Sequence, residues 1–203
     1  MQKIMFNDQY RLTEAVLEGR KTQTRRIIKC PREFKGEWVA GFNIHIRKSD
    51  KKVVDWPCMY DADEREFDGG EILPRYKEGE IVAIAQRYAD IGIEPFPFCE
   101  AGWRNKMRVK ADLMPHQIKV TNVRIQRLQD ISEEDCLAEG IRKIESNKIS
   151  KAFGFDNSYE IPNQFPVFDS PREAYAVLIN GVSGKGTWES NPWVFAYEFE
   201  LVK

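Results

Sequence analysis

Large apolar side chains occupy every second position near the end of the chain, at Trp193, Phe195, Tyr197, Phe199 and Leu201. Successive side chains of a β-strand point to opposite faces, so this spacing predicts a long strand with one aromatic face on the core. Such a face needs other strands or helices to cover it. We therefore expect a fold that is organised around a β-sheet.

Three helices are expected between the strands, near residues 8–18, 132–140 and 171–180. Asn7, Ser132 and Ser170 precede these segments and can cap their N-termini. Asp135 is in position to complete a capping box with Ser132. Gly140 ends the second helix, because glycine adopts a left-handed conformation at little cost.

Two further strands have clear signals. Residues 81–85 form a short apolar run that is typical of a strand buried on both faces. The strand at 118–128 changes its hydrophobic phase between Val120 and Val123, and we expect a β-bulge near Asn122.

The whole chain, 1–203, is expected to form one domain with insertions. The insertions lie at about 32–75, 89–112 and 142–168. In the first of them, residues 38–46 alternate in hydrophobicity, and 53–56 is predicted to return as their partner strand in a hairpin. The acidic segment 61–71 is predicted to be a loop.

The composition indicates a globular protein with a sizeable core, since 42% of the 203 residues are hydrophobic. The formal net charge is -1, so a nucleic-acid site would depend on a local cluster of cations. Four separated cysteines and only two histidines predict no metal site and no cofactor. No apolar run is long enough to cross a membrane, and unpaired cysteines are typical of a reducing compartment. We expect a cytoplasmic protein without a membrane partner.

The segment 19–26, GRKTQTRR, concentrates four cations in eight residues. In a strand, one face would carry Thr22, Thr24 and Arg26, and the other Lys21, Gln23 and Arg25. The segment follows a helix and precedes an apolar pair at 27–28, and ligand sites often lie at such junctions. Solvated charges that complement the C-terminal end of the helix are the alternative interpretation.

Glu139 does not suit its local environment. It lies at the C-terminal end of the second expected helix, where the helix dipole disfavours an acidic side chain. The helix signals at Ser132 and Gly140 do not account for this charge. A residue that contradicts a local rule is a candidate site residue.

Three motifs resemble the ASCH domain family, whose members have a PUA-like β-barrel. They are GRKTQTR at 19–25, ISEEDCLAEGI at 131–141 and WESNPWV at 188–194. The strand at 81–85 also resembles a family strand, although Glu80, Ala83 and Gln86 depart from its pattern. The resemblance implies an α+β fold, namely a PUA-like mixed, mostly antiparallel β-barrel with three short helices and insertions.

The resemblance also implies a cleft, lined by the GRKTQTRR motif, for a nucleotide-type ligand. A bacterial family member hydrolyses acetylcytidine, and the positions that match its catalytic residues are Lys21 as base, Thr24 as nucleophile and Glu139 as acid. The other motif residues that we expect at the ligand are Arg20, Thr22, Arg25, Arg26, Trp188, Asn191 and Trp193. Burial and neighbouring cations would lower the pKa of such a lysine, as base catalysis requires.

Three functions are compatible with these residues. The first is hydrolysis of an acylated nucleoside amide. The second is non-catalytic RNA binding, in which cations hold phosphates and Trp188 or Trp193 stacks on a base. For both tryptophans, packing in the core is the alternative. The third is a structural accessory protein whose charges are solvated. The expected partner is therefore RNA or a modified nucleoside.

Overall fold

A computed structural model describes residues 1–94, 101–144, 158–164 and 166–202. The strands are β1 (Lys3–Ile4), β2 (Gln23–Ile27), β3 (Glu33–Phe34), β4 (Glu37–Trp38), β5 (Gly41–Asn43), β6 (Cys58–Tyr60), β7 (Glu66–Glu71), β8 (Ile81–Ile84), β9 (Gln117–Arg127), β10 (Arg142–Ile144), β11 (Ser158–Glu160) and β12 (Trp193–Val202). The α-helices are α1 (Leu12–Leu17), α2 (Glu133–Ala138), α3 (Pro171–Ser183) and α4 (Thr187–Ser190). The fold is α+β, in agreement with the sequence patterns.

A five-stranded sheet in the order β1-β8-β9-β12-β2 forms the centre of the fold. Its pairings are antiparallel except for that of β1 with β8. Phe195, Tyr197 and Phe199 of β12 are buried, which confirms the aromatic face that their spacing predicts. The register of β9 against β12 shifts opposite Glu198 and Phe199, and this confirms the bulge near Asn122.

The central sheet has two faces of different character. The charged face carries Gln23, Arg25, Arg124 and Glu198, and the aromatic face carries Phe195, Tyr197 and Phe199. Helix α2 lies against the charged face, where its acidic side chains meet Arg25. The aromatic face is covered by rings from other segments, including Trp56 from the first insertion.

The edges of the sheet are β1 and β2. Among the described residues, each of them pairs with one neighbour and they do not pair with each other. The remaining strands form small sheets in the orders β3-β4, β5-β6-β7 and β10-β11. None of the described helices is both long enough and apolar enough to cross a membrane.

The first expected helix, near residues 8–18, is divided into two parts. A 3-10 turn at Asp8–Tyr10 precedes α1, and Arg11 between them is left-handed, with a φ of 51°. Asn7 caps the turn by accepting a hydrogen bond from the backbone N of Gln9 at 2.9 Å. The prediction of one continuous helix is wrong, because hydrophobic spacing does not reveal a single left-handed residue.

The other two expected helices are present, and α3 extends to Ser183. Ser170 caps α3 by accepting a hydrogen bond from the backbone N of Glu173 at 3.1 Å. The short helix α4 is an addition that the sequence patterns do not predict.

The first insertion, 32–75, pairs differently from the expected hairpin. β5 pairs with β6, and the expected pairing with 53–56 is limited to the turn end, where Ile46 and Val53 form an antiparallel bridge and two backbone hydrogen bonds join 45–47 to 52–54. Trp38 is 63% exposed, so the alternation there does not mark a half-buried strand. The acidic segment that was expected to be a loop contains β7, which pairs with β6. Composition does not separate a solvated strand from a loop, and the loop prediction is wrong for that reason. The hairpin prediction is confirmed only at its turn end. Residues 95–100 and 145–157 of the other two insertions lie outside the described residues.

Candidate functional site

Lys21 and Glu139 form a buried ion pair where α1, β2 and α2 meet. The Nζ of Lys21 lies 2.5 Å from Oε2 and 2.8 Å from the backbone oxygen of Glu139. It also donates to the backbone oxygen of Gln23 at 2.7 Å. The two side chains are 1% and 6% exposed, so the three donors of the ammonium group are all used inside the protein.

Arg25 binds the same carboxylate from the charged face of β2. Its Nη1 lies 3.1 Å from Oε1 of Glu139, and its Nη2 lies 2.6 Å from Oδ2 of Asp135. The amide of Gln23 donates to Oδ1 of Asp135 at 2.8 Å. Each buried charge therefore has a charged partner, which is the condition under which buried charges are tolerated.

Arg124 of β9 extends these contacts toward solvent. It binds Asp135 through Nη2 and forms an ion pair with Glu198 of β12. The Arg124 side chain is 32% exposed, whereas that of Arg25 is fully buried. The charge network, as we define it, consists of Lys21, Gln23, Arg25, Arg124, Asp135, Glu139 and Glu198.

Asp135 does not complete the expected capping box. Ser132 does cap α2, because its hydroxyl accepts a hydrogen bond from the backbone N of Asp135 at 3.1 Å. The Asp135 carboxylate faces Gln23, Arg25 and Arg124 instead. Hydrogen bonds between charged groups are roughly twice as strong as neutral ones. The carboxylate therefore binds the two arginines and does not accept the capping-box hydrogen bond from the backbone N of Ser132.

The end of α2 determines the position of Glu139. The backbone N of Thr22 donates to the oxygen of Ala138 at 2.9 Å, which joins the start of β2 to the helix end. Gly140 follows with a φ of 107°, and a Cβ there would lie 3.1 Å from Cδ2 of Leu12. Glycine thus permits both the turn and the close approach of α1. The acidic side chain at the helix end is explained by the cations that it meets.

Lys21 titrates in an unusual environment. Burial lowers its pKa from the usual value of 10.5, whereas Glu139 opposes this, and Arg26 and Arg25 add to it. Burial also acts to lower the pKa of Arg25, but Glu139 and other neighbours raise it above its usual value. The arrangement therefore makes Lys21 a better proton donor than a lysine in water, while Arg25 keeps its charge.

Thr24 lies in β2 beside the charge network. It is 6% exposed and stands opposite Tyr197 of β12, so its side chain belongs to the aromatic face. In the described part of the chain, no hydrogen bond joins its hydroxyl to Lys21 or Glu139. The structure brings Lys21 and Glu139 together, and it places Thr24 on the opposite face of β2 from Arg25, which binds Glu139. That the three line one cleft stays a prediction.

The other residues of the cationic segment divide into inner and outer groups. Arg20 pairs with Glu18 at 2.6 Å on the surface. Thr22 and Arg26 are exposed, and Nη2 of Arg26 donates to a backbone oxygen near the N-terminus at 2.7 Å. Arg25 is buried, as described above. Two of the four cations in the segment therefore reach solvent, and two are used by the charge network.

The C-terminal motif residues are held by contacts within the chain. The ring of Trp188 meets that of Tyr175 edge-on, with 6.1 Å between centroids. Oδ1 of Asn191 accepts a hydrogen bond at 2.8 Å from the backbone amide of residue 129. The guanidinium of Arg127 lies 4.4 Å from the centroid of the Trp193 ring. Packing thus accounts for Trp188 and Asn191, whereas Trp193 also lines an open space.

That space is a cleft of about 730 Å³ between the first insertion and the central sheet. One wall is the segment 51–56 with Ile46, and the other is the segment 123–126 with Asp130 and Trp193. We term it the insertion cleft. None of residues 19–26 lines it, so it is not the cleft that the cationic motif was expected to form. Of the predicted ligand residues, it contains Trp193 alone.

Several residues of these two regions have no distinctive local signal in the sequence. Trp56 ends the segment 53–56, whose sequence predicts only a hairpin strand. Asp135 occupies a capping-box position, so the sequence predicts a local cap for it and not its contacts with Arg25 and Arg124. Arg124 and Glu198 meet through the register of β9 and β12, and no local pattern reveals a register that a bulge has shifted.

Comparisons with known proteins assign no family to these features. No family model, no curated protein and no solved structure matches the chain. Within the described ranges, no group of three or more His, Cys, Asp or Glu side chains is arranged to hold a metal ion.

Proposed function

We propose that this chain is an ASCH-type protein with a PUA-like barrel, which binds a nucleoside, nucleotide or RNA and hydrolyses an acylated nucleoside amide. The contact of 2.5 Å between Lys21 Nζ and Glu139 Oε2 carries this proposal. It joins two motifs that are 118 positions apart, and these are the motifs to which the family resemblance assigns a catalytic lysine and glutamate. A merely solvated cluster would leave Lys21 in water, where its charge is best hydrated.

The chemistry needs a nucleophile, a base and an acid. The Thr24 oxygen attacks the amide carbonyl while the base takes the hydroxyl proton, and the C–N bond breaks as the departing amine receives that proton. Water then attacks the resulting Thr24 ester, which releases the carboxylic acid and restores the hydroxyl. Lys21 serves as the base only in its neutral form, and its lowered pKa increases that fraction. Arg25 holds the Glu139 carboxylate at 3.1 Å and so positions it beside the lysine.

Turnover should depend on pH through Lys21. A base must be deprotonated to act, so the rate rises as pH passes the pKa of the lysine. Because that pKa is lowered, the rise is expected to reach its midpoint below pH 10.5. A pH profile of kcat/KM on an acylated cytidine measures this midpoint, and a midpoint at or above the usual lysine value contradicts the assignment.

Two threonines in the same segment provide a matched pair for the test. Thr24→Val removes the hydroxyl and retains the shape, and we expect turnover of acylated cytidine to vanish. Thr22→Val, at an exposed position among the expected ligand residues, removes no nucleophile and should lower turnover far less. Lys21→Arg keeps the charge but cannot release a proton at working pH, so it should also be inactive. If Thr24→Val turns over acylated cytidine as fast as the parent protein, Thr24 is not the nucleophile. If the parent protein itself shows no turnover, the proposed hydrolytic activity is wrong.

Non-catalytic RNA binding is the second candidate. The exposed Arg26 and the partly exposed Arg20, which pairs with Glu18 at the surface, favour it. Lys21 and Arg25 are used inside the protein, so two cations of the segment remain for phosphates. For a single strand, two phosphate contacts give a slope of about -1.4 for log affinity against log salt. Replacing Arg20 and Arg26 by serine should flatten this slope. An unchanged slope in the double variant contradicts this binding mode.

A further inference from the structure

The insertion cleft exposes apolar side chains on one wall. Ile46, Val54 and Trp56 of the first insertion are 45%, 41% and 37% exposed, and all three line the cleft. Lys52 and Asp55 stand beside them. Adjacent exposed apolar groups with a polar rim are typical of a binding site.

This wall is held in place by specific contacts. The ring of Trp56 meets that of Phe195 edge-on at 6.0 Å, which fixes the indole to the aromatic face of the sheet. The backbone N of Val54 donates to the oxygen of His45 at 3.0 Å. Nε2 of His45 lies 2.8 Å from Oε1 of Glu66 in β7. The cleft is therefore largely formed without a ligand, as small-molecule sites usually are.

The opposite wall supplies a second indole and polar groups. Trp193 has the Arg127 guanidinium stacked at 4.4 Å, which restricts its ring. Asp130 lies on this wall and offers a carboxylate, whereas Arg124 and Gln126, which are hydrogen-bonded to each other at 2.9 Å, belong to the charged face. Two indoles near hydrogen-bonding side chains suit a planar ring with polar edges.

The charges in the cleft decide which planar ligand fits. Lys51, Lys52 and Asp55 lie on the first wall, and Asp130 lies on the opposite wall. Arg124 is already paired with Asp135 and Glu198. Positive and negative side chains thus balance, so a polyanion has no net attraction. The rim offers donors and acceptors together, which matches the edge of a nucleobase. The volume of about 730 Å³ is in the usual range for small-molecule sites.

We propose that the insertion cleft binds a neutral nucleoside by its base, which stacks on Trp56 and hydrogen-bonds to the charged rim. The inference rests on the nucleoside class of the proposed function, but it assigns binding to a site separate from Lys21 and Glu139. A base of the same chemistry could come from a free nucleoside or from single-stranded RNA. The proposal commits to the free nucleoside, because balanced charge gives phosphates no advantage.

Calorimetric titration tests the site with cytidine, adenosine and uridine. These nucleosides carry no acyl amide, so binding is measured whether or not the protein hydrolyses anything. Ribose and inorganic phosphate test the sugar and the anion alone, and CMP and a hexauridine strand test the other sources of a base. We expect cytidine to bind, CMP to bind no more tightly, and affinity to stay constant between about 50 and 200 mM salt.

Two exposed tryptophans of the same insertion form the matched pair of variants. Trp56→Ala should weaken cytidine binding by roughly five- to a hundredfold, the effect usual for a lost base stack. Trp38→Ala should leave it unchanged, because Trp38 is 63% exposed and does not line the cleft. Asp55→Asn is a second variant that leaves the packing intact. It should weaken cytidine and adenosine more than uridine, since only the first two offer an exocyclic amino group.

Each outcome bears on the proposal. Base-dependent, salt-insensitive binding that is lost in Trp56→Ala and kept in Trp38→Ala supports it. It is overturned if no nucleoside binds, if ribose binds as well as cytidine, or if only CMP or hexauridine binds. Equal weakening by both tryptophan variants also overturns it. Failure of hydrolysis in the earlier test leaves these results unaffected, so the two proposals can fail separately.

Discussion

The charge network and the insertion cleft use similar side chains in opposite ways. In the network, Lys21 and Arg25 are buried and bound to carboxylates. In the cleft, Lys51 and Lys52 are exposed beside an exposed Trp56. Arg124 is part of the charge network and also lines the insertion cleft, so the two regions adjoin at this residue. Pairing and burial, and not the density of charge in the sequence, determine which cations are free to meet a ligand.

The energetic consequences of the two arrangements differ. Removing one partner of a buried ion pair leaves a charge without compensation, which costs about 3–5 kcal/mol. Removing an exposed charge usually changes stability by less than about 0.5 kcal/mol. Stability measurements on matched variants therefore test whether the two regions differ as the structure indicates.

The largest effect is expected for Glu139→Gln. The amide cannot neutralise Lys21 and Arg25, so we expect the free energy of unfolding to fall by about 3–5 kcal/mol in urea titrations. Asp55→Asn in the cleft makes the same chemical change at an exposed position and should alter it by less than about 0.5 kcal/mol. Similar losses in both variants would show that the network is not the buried element described here.

Asp135 provides a pH-dependent test of the network. Burial acts to raise its pKa, but Gln23, Arg25 and Arg124 lower it below 3.8. A carboxyl with a lowered folded-state pKa stabilises the fold above pH 3.8, and the contribution is lost as pH falls through the lower folded-state value.

Asp135→Asn should therefore be less stable than the parent at pH 7, by roughly 1–3 kcal/mol, because hydrogen bonds to buried cations are lost. The difference should shrink below pH 3.8, where the parent also loses its charge. Unfolding is followed by circular dichroism at a series of pH values. If the difference in unfolding free energy between parent and variant stays constant down to pH 2, Asp135 does not have this role. A carboxylate that stabilises the fold through a lowered pKa must lose part of that contribution once the pH is below 3.8.

The parts of the fold that were predictable from the sequence depend on local patterns. The aromatic alternation of β12 and the cap of α3 are read from residues within one element, and both are confirmed. The pairing of the first insertion depends on which distant strand each segment meets. Several alternating segments compete there, and the choice of β6 over 53–56 has no local signature.

The candidate site shows the same limit. Glu139 was identified because its charge conflicts with the helix dipole, and its partners explain the conflict. Asp135 agreed with a local rule and was therefore assigned to a cap. Trp56 gave no conflict at all, because an exposed aromatic residue at the end of a strand is ordinary. A residue that contradicts a local sequence rule therefore reveals a buried charged site, whereas a site made of exposed residues gives no such signal.

A smaller effect is expected for Trp56→Ala, which tests the rigidity of the cleft wall. The edge-on contact with Phe195 contributes about 0.5–1.5 kcal/mol. Because Trp56 is 37% exposed, we expect its loss to lower the free energy of unfolding by about 1 kcal/mol, well below the cost for a fully buried tryptophan. Trp38→Ala should be nearly neutral. Thermal unfolding of the two variants compares them, and equal losses would mean that Trp56 is not anchored to the sheet.

The smallest effect is expected where the network reaches solvent, at the pair of Arg124 with Glu198. Their side chains are 32% and 34% exposed, so water and salt screen the pair. Because Arg124 also binds Asp135, single variants do not isolate this contact. A double-mutant cycle with Arg124→Gln and Glu198→Gln does, and we expect a coupling of about 0.2–1 kcal/mol that declines as salt is added. A coupling of several kcal/mol that is insensitive to salt would place this pair with the buried part of the network, and the boundary between the two regions would then lie further toward the cleft.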